Sequence, residues 1–273
     1  MRQLIRRPPT LIGLVIVLVF VMIAIFGSTI APHRFDTIIR GAARLPPSAE
    51  YPFGTDRLGR DVLSRVLWGA RDIIVLPTVT TLLSVFFGAA IGMTLGYVGG
   101  WLDDVVSRAL DSLLAIPALI LALVMLGTIG PSAIGIVIVV VVLYTPIVAR
   151  VVRSATLSLR TAGYIEAAKL RGESTTYILF REILPGVLPA LVVEGSLRFT
   201  YAIFLTASLG FLGLGVQPPS PDWGRMVNEA RDSFAQTPWA LWYPAGAIAL
   251  LVIGVNLLSD GLRRIFRYEG QLG

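Results

Sequence analysis

The chain has 273 residues, of which 55% are hydrophobic and 15% charged, and its mean hydropathy of +0.77 excludes a water-soluble globule of this length. Hydrocarbon demands about 20 apolar residues per helical span, and uncharged runs of that length recur from end to end, so a polytopic membrane protein is expected. Lys and Arg total 23 against 17 Asp and Glu, a net charge of +6, which in a multispanning chain marks cytoplasmic loops rather than nucleic-acid binding.

Arg2, Arg6 and Arg7 precede an uncharged stretch from Pro8 to Pro32. Its apolar centre, Leu11 to Ala31, exceeds the about 7–15 residues of a signal-peptide core, so a retained first span with a cytoplasmic N-terminus is expected. Residues 33–72 are polar and punctuated by Pro and Gly, and Asp61 to Asp72 reads as a short amphipathic helix along the membrane surface. A second span lies within Ile73 to Leu102 and stops at Gly99-Gly100. A third runs from Val105 to Leu126 with Pro117 inside it, and a fourth from Ala133 to Ala149. As one helix, the uncharged run Ser112 to Ala149 would be about 57 Å long, too much for a single crossing. Arg150 to Pro185 is too charged to span. Gly186 to Ser208 forms a fifth span, Gly210 to Gln236 a loop rich in Gly and Pro, and Trp242 to Leu258 a sixth.

Six crossings from an inside N-terminus place residues 1–10, 98–108, 150–185 and 263–273 in the cytoplasm, collecting thirteen of the 23 basic residues. The expected organisation is a cytoplasmic N-terminus and first span at 1–32, an extracytoplasmic loop with an amphipathic segment at 33–72, a five-helix core at 73–263 and a cytoplasmic tail at 264–273.

Little in the chain supports covalent chemistry. It has no cysteine and one histidine, His33, which leaves no thiolate site and no second imidazole to share a metal. The only lysine, Lys169, sits in Ala167-Ala168-Lys169-Leu170 rather than in a Gly-rich loop followed by Ser or Thr, so no phosphate cradle is present. If ATP drives this protein, another chain binds it.

Glu194 and Arg198 fall within the fifth span at i and i+4, where they share a face and can pair. A charge at membrane depth is costly, so the pair either faces a water-filled route or neutralises itself in packing against a partner. Arg108 and Asp111 are expected to pair at the interface, Asp260 to be solvated, and Trp223, Trp239, Trp242 and Tyr243 to form an aromatic belt. In the long cytoplasmic loop, Glu166 to Arg171 is good helix, Gly172 can close it in the left-handed conformation and Pro185 stops the next one. Ala167 and Ala168 leave a face with little bulk that another protein's groove can approach, and Glu166 supplies one charge to fix register. An ordinary solvated helix has the same composition.

Glu166-Ala167-Ala168, Gly172 and Leu184-Pro185 resemble the EAA loop of bacterial ABC-importer permeases. Phe53-Gly54-Thr55-Asp56-Arg57-Leu58-Gly59-Arg60-Asp61 and Phe211-Leu212-Gly213-Leu214-Gly215, continuing to Trp223-Gly224, are similar to segments of the C-type permease subunit of dipeptide and oligopeptide importers. Two departures are visible. Glu182 occupies the position where the general EAA pattern has isoleucine, with Ile183 one residue later, and Thr206 stands where related peptide permeases often carry glutamate.

The resemblance implies an all-α, six-span permease of the type I ABC-importer architecture in the bacterial cytoplasmic (inner) membrane, in contact with lipid and with both termini cytoplasmic. It implies a homologous second permease, two ABC ATPase subunits docked at Glu166, Ala167, Ala168, Gly172, Leu184 and Pro185, and an extracytoplasmic substrate-binding protein. Peptides are the implied cargo, with other small solutes and metal chelates as alternatives. ATP and Mg would belong to the ATPases, with no cofactor on this chain. Glu194, Arg198 and Thr206 are the candidate pathway residues. An ion-coupled secondary transporter using Glu194 is the main rival; a membrane-embedded enzyme or a purely structural subunit is a weaker one.

Overall fold

The structure, a computed structural model, describes residues 8–269; residues 1–7 with the basic Arg2, Arg6 and Arg7, the last four residues, and the side chains of Leu262 and of residues 265–269, Arg267 among them, lie outside that description. Helix α1 spans Pro8–Ile30, with the two prolines in a first turn whose N–H groups have no helical acceptor anyway. Residues 31–61 follow without regular structure, apart from an isolated bridge between Thr55 and Asp61. Helix α2, Val62–Val98, is 37 residues long, about 55 Å, and so outreaches a hydrocarbon core of about 30 Å. The charges at its start belong to the overhang. The uncharged remainder, from Ile73, crosses.

The amphipathic segment is therefore the beginning of a span, not a separate surface helix. Asp61 caps it, its carboxylate accepting from the Leu63 and Ser64 backbone N–H groups at 3.3 and 3.0 Å, as a carboxylate at an N-cap should. Val62 and Val66 of its apolar face pack into a protein cluster with Ile73, Trp223 and Met226, so these two side chains meet protein and not a lipid surface.

The expected third span is two helices, α3 (Gly100–Leu114) and α4 (Ala118–Ile129), which meet at 91°. Pro117 disfavours the helical conformation at the residue before it and lacks the N–H to continue the ladder. Counting this bent pair as one broken crossing gives six apolar passages; five helices are long and apolar enough alone. Helix α5, Ala133–Leu159, begins at the Ser132 cap and continues ten residues past the expected end. Then come α6 (Gly163–Leu170), the single turn α7 (Thr175–Tyr177), a π-helical turn (Ile178–Ile183), α8 (Leu184–Phe211), α9 (Trp223–Arg231) and α10 (Pro238–Glu269). Pro185 opens α8 within its first turn rather than ending a helix, the position where a missing N–H costs nothing.

Close packing of α2 on α5 rests on Gly88, Gly92 and Gly96, one face of α2 at i, i+4, i+8. A Cβ on Gly92 would stand 2.5 Å from the Ala149 carbonyl oxygen and 2.8 Å from Val152 Cβ, and one on Gly96 2.7 Å from Thr156 Cβ. Small residues let helices within a membrane approach to backbone contact, where dispersion replaces the absent hydrophobic drive. Arg153 on α5 forks onto Asp103 of α3 at 2.5 and 2.6 Å, and Arg150 pairs with Asp111, displacing the expected Arg108–Asp111 pair. Trp223 is fully buried with its indole N–H on the Val66 carbonyl at 3.0 Å, and Trp239 donates to the Thr55 carbonyl at 2.9 Å. Tyr243 stacks on Phe53. These rings are packed core, so only Trp242 remains exposed as a belt residue.

Candidate coupling surface and charged clusters

At one end of the molecule α6 stands out from the spans. Its C-terminus closes by the paired bonds of a Schellman motif: Glu173 N–H to the Ala168 carbonyl at 3.2 Å and Gly172 N–H to the Lys169 carbonyl at 3.0 Å. Gly172 has φ +77° with open space where a Cβ would go, so glycine is needed here for the backbone, not for clearance.

The two faces of α6 differ sharply. Ile165 and Ala168 are completely buried, in one cluster with Ala89 and Met93 of α2, Val148 and Val152 of α5, Ile183 of the π-helical turn and Val187 of α8. Glu166, Ala167 and Leu170 face outward. The sequence expectation put Ala167 and Ala168 on the same bald face, but consecutive residues are about 100° apart on a helix, and Ala168 is the anchor rather than the knob. Leu170, 90% exposed, was missed; an apolar residue beside a helix stop gives a signal only once its exposure is seen. Lys169 lies over the Tyr97 ring at 5.2 Å, a cation–π contact to the end of α2.

The π-helical turn joins this knob to α8. A π-turn holds one more residue than an α-turn, and it lies where Glu182 and Ile183 depart by one residue from the EAA pattern. Leu184 and Pro185 keep the spacing of the pattern from Gly172, so the departure is a shifted isoleucine within the widened turn and not an inserted residue. Leu184 packs against the same cluster and Pro185 starts α8.

Within α8, Glu194 and Arg198 pair at 2.8 Å, both nearly buried. The guanidinium also lies 5.4 Å from the Tyr144 ring of α5 and 5.0 Å from the Tyr201 ring. Thr206 is fully buried. The exposed residues of this helix stretch are Tyr201 and Phe204.

At the opposite end a charge cluster joins the two glycine-rich segments. Asp56 accepts from Leu58 and Arg60 backbone N–H groups at 2.8 and 3.0 Å, from Arg60 Nε at 2.6 Å and from buried Arg65 at 3.0 Å. Arg60, Arg65 and Arg225 all reach Glu229 on α9, at 2.7 to 3.2 Å. Burial alone would raise the Glu229 carboxyl, but Arg65 and Arg60 outweigh it and hold it below the usual range. Asp222 caps α9 through the Arg225 N–H at 2.7 Å; burial pushes its carboxyl up to about 6. Among the described residues no group of acidic and histidine side chains is arranged to hold a metal.

Residues 88–267 match the family of binding-protein-dependent transport system inner membrane components. The chain belongs to that family. Residues 1–47 match the N-terminal transmembrane domain of oligopeptide transport permease C. Its relatives include a dipeptide transport system permease protein of Alkalihalophilus pseudofirmus, 37% identical over 96% of this chain and 86% of the relative. A glutathione transport system permease protein of Escherichia coli is 39% identical over 96% and 87%. Among solved structures, an inward-facing methionine ABC transporter, MetNI, covers 75% of this chain and 95% of its own at TM-score 0.60 and 22% identity, a likeness of fold. The chain is thus an ABC-importer permease subunit of type I architecture, a multi-pass membrane protein of the transport machinery without catalytic activity of its own.

Proposed function

We propose that this permease carries short peptides inward across the cytoplasmic membrane, paired with a homologous permease, and that α6 is the lever through which two ATPase subunits drive it. Support for peptide cargo comes from relatives whose names specify a dipeptide and glutathione. The observation that carries the lever is the two-sided build of α6: Glu166, Ala167 and Leu170 outward, Ile165 and Ala168 locked into a cluster that touches α2, α5 and α8 at once. Force applied to the knob reaches three spans without an intervening loop. Glu194, Arg198 and Thr206 then form the wall behind the route, an internally neutralised pair and a packed hydroxyl, with Tyr201 at its exposed edge. Both termini and α6 face the cytoplasm, and a secreted binding protein delivers cargo on the α9 side. ATP and Mg are held by the ATPases.

Leu170→Asp places a charge on the docking tip without touching the buried anchors. In the reconstituted importer, uptake of peptide and its stimulation of ATP hydrolysis are expected to fall at least tenfold, about 1.4 kcal/mol of coupling, with membrane insertion unchanged. Uptake and stimulated hydrolysis at the unaltered level would remove α6 from the drive train.

A further inference from the structure

Between α1 and α2 lies a groove of about 480 Å³, within the size range of sites that hold a small organic ligand. Its walls are Val21 and Ile25 on one helix and Ile74 and Val75 on the other, and one end is polar, with Ser28, Trp68 and Arg71. The groove flanks the crossing where Gly27 meets the Leu67 backbone, so its width is set by backbone contact and not by movable side chains.

Position fixes what can enter. Ser28 is two residues from the end of α1, and Arg71 is two residues before the uncharged stretch of α2 begins at Ile73. The polar end therefore lies at the water boundary and the apolar walls run into hydrocarbon. Arg71 is exposed and makes no ion pair among the described residues. Its neighbour Asp72 is engaged elsewhere, accepting from Ser220 Oγ at 3.0 Å. The buried Trp68 indole nitrogen has no hydrogen-bond partner. No acidic side chain lines the groove.

We propose that this groove is a binding site for one anionic glycerophospholipid, its acyl chain along Val21, Ile25, Ile74 and Val75 and its phosphodiester on Arg71. A guanidinium matches a phosphate in shape and charge, and a groove without a carboxylate offers nothing to the ammonium of a zwitterionic headgroup. Snorkelling of the Arg71 stem along the helix brings its charge to phosphate level. The site is independent of which solute the importer carries.

The assembled importer, reconstituted into nanodiscs of phosphatidylglycerol or of phosphatidylcholine alone, is released into native mass spectrometry and its retained lipids counted. One phosphatidylglycerol per chain is expected to remain, with little phosphatidylcholine. Arg71→Gln is expected to lower that retention about tenfold and Arg71→Lys to preserve most of it, while Arg231→Gln, at an exposed residue of α9 outside the groove, changes nothing. Ile25→Trp fills the groove from a side chain that is already exposed and is expected to abolish retention by itself. Equal retention of both lipids, or unchanged retention in both Arg71→Gln and Ile25→Trp, would overturn the proposal. So would efficient cross-linking of Val75→Cys, in a chain without cysteine, to the second permease, which would show that a protein fills the groove.

Discussion

Asp222 illustrates how a single side chain can hold a loop in place at an electrostatic cost. It is buried as the cap of α9, and a Cβ on Gly210 or Gly215 would collide with or crowd its carboxylate, so these two glycines leave the space that admits it. Because burial pushes its carboxyl up to about 6 from 3.8, the folded state binds this proton more tightly than the unfolded state. That contribution to stability is complete below pH 4 and is lost as the pH rises through about 6. At pH 8 the ionised form costs about 3 kcal/mol. Asparagine caps a helix as well as aspartate does, so Asp222→Asn is expected to melt higher than the unaltered protein at pH 8, with the gap shrinking steadily towards pH 4. Glu229 does not blur the comparison, because a depressed carboxyl alters stability only as the pH falls below its ordinary 4.5. Thermal unfolding of the purified protein in detergent across pH 4 to 8 measures this; a gap that is flat with pH would show that the cap bond, not the charge, sets the effect.

At the scale of elements, the π-helical turn decides how the knob is aimed. Removing one residue from Ile178–Ile183 would let the turn relax to an α-helix, rotating everything before it by about 100° and shifting it by about 1.5 Å relative to α8. Ile165 and Ala168 would then leave their pocket. Deletion of Glu182 is accordingly expected to abolish uptake by the reconstituted importer while the spans still insert. Glu182→Ala keeps the residue count and loses only an exposed 3.4 Å contact to Arg171, worth at most about 1 kcal/mol, so its uptake is expected to stay close to normal. Full uptake in the deletion variant would show that the aim of α6 is immaterial.

Elements also show what was legible in the sequence. Span existence was legible because hydrocarbon length imposes a minimum apolar run, and the Gly172 stop was legible because a left-handed residue has a residue-type signature. Span ends were not. Val62, Arg65 and Asp72 look like a surface helix until α9 is folded over them, and Trp223 looks like a belt residue until Val66 accepts its N–H. The charge cluster joins Glu229 to Arg65 and Arg60, 164 and 169 residues earlier in the sequence, a pairing that periodicity cannot reveal. The EAA residues were found by resemblance, but their inward and outward division required the helix to be seen in place.

Across the whole molecule, α2 and α8 run between two stiff ends. One is the apolar cluster beneath α6; the other is the cluster of Asp56, Arg60, Arg65 and Glu229, which clamps the 31–61 segment and α9 to the overhang of α2. Alternating access needs bodies that move as units, and the clamp supplies rigidity on the side where the binding protein is proposed to dock. Arg65 is its centre, 3% exposed and in contact with both carboxylates. Arg65→Met would leave Asp56 and Glu229 with less compensation in a buried site, a loss of about 3–5 kcal/mol. The expected result is local rather than global: faster proteolysis within residues 33–61 of the reconstituted importer, with the α6 end still protected. Arg65→Met combined with Glu229→Met removes opposite charges together and leaves Asp56 paired with Arg60 at 2.6 Å, so much of the protection is expected to return. If the double variant is cleaved as fast as the single one, Arg65 acts through its packing and not through its charge; if neither is cleaved faster, the segment is held by its apolar contacts alone.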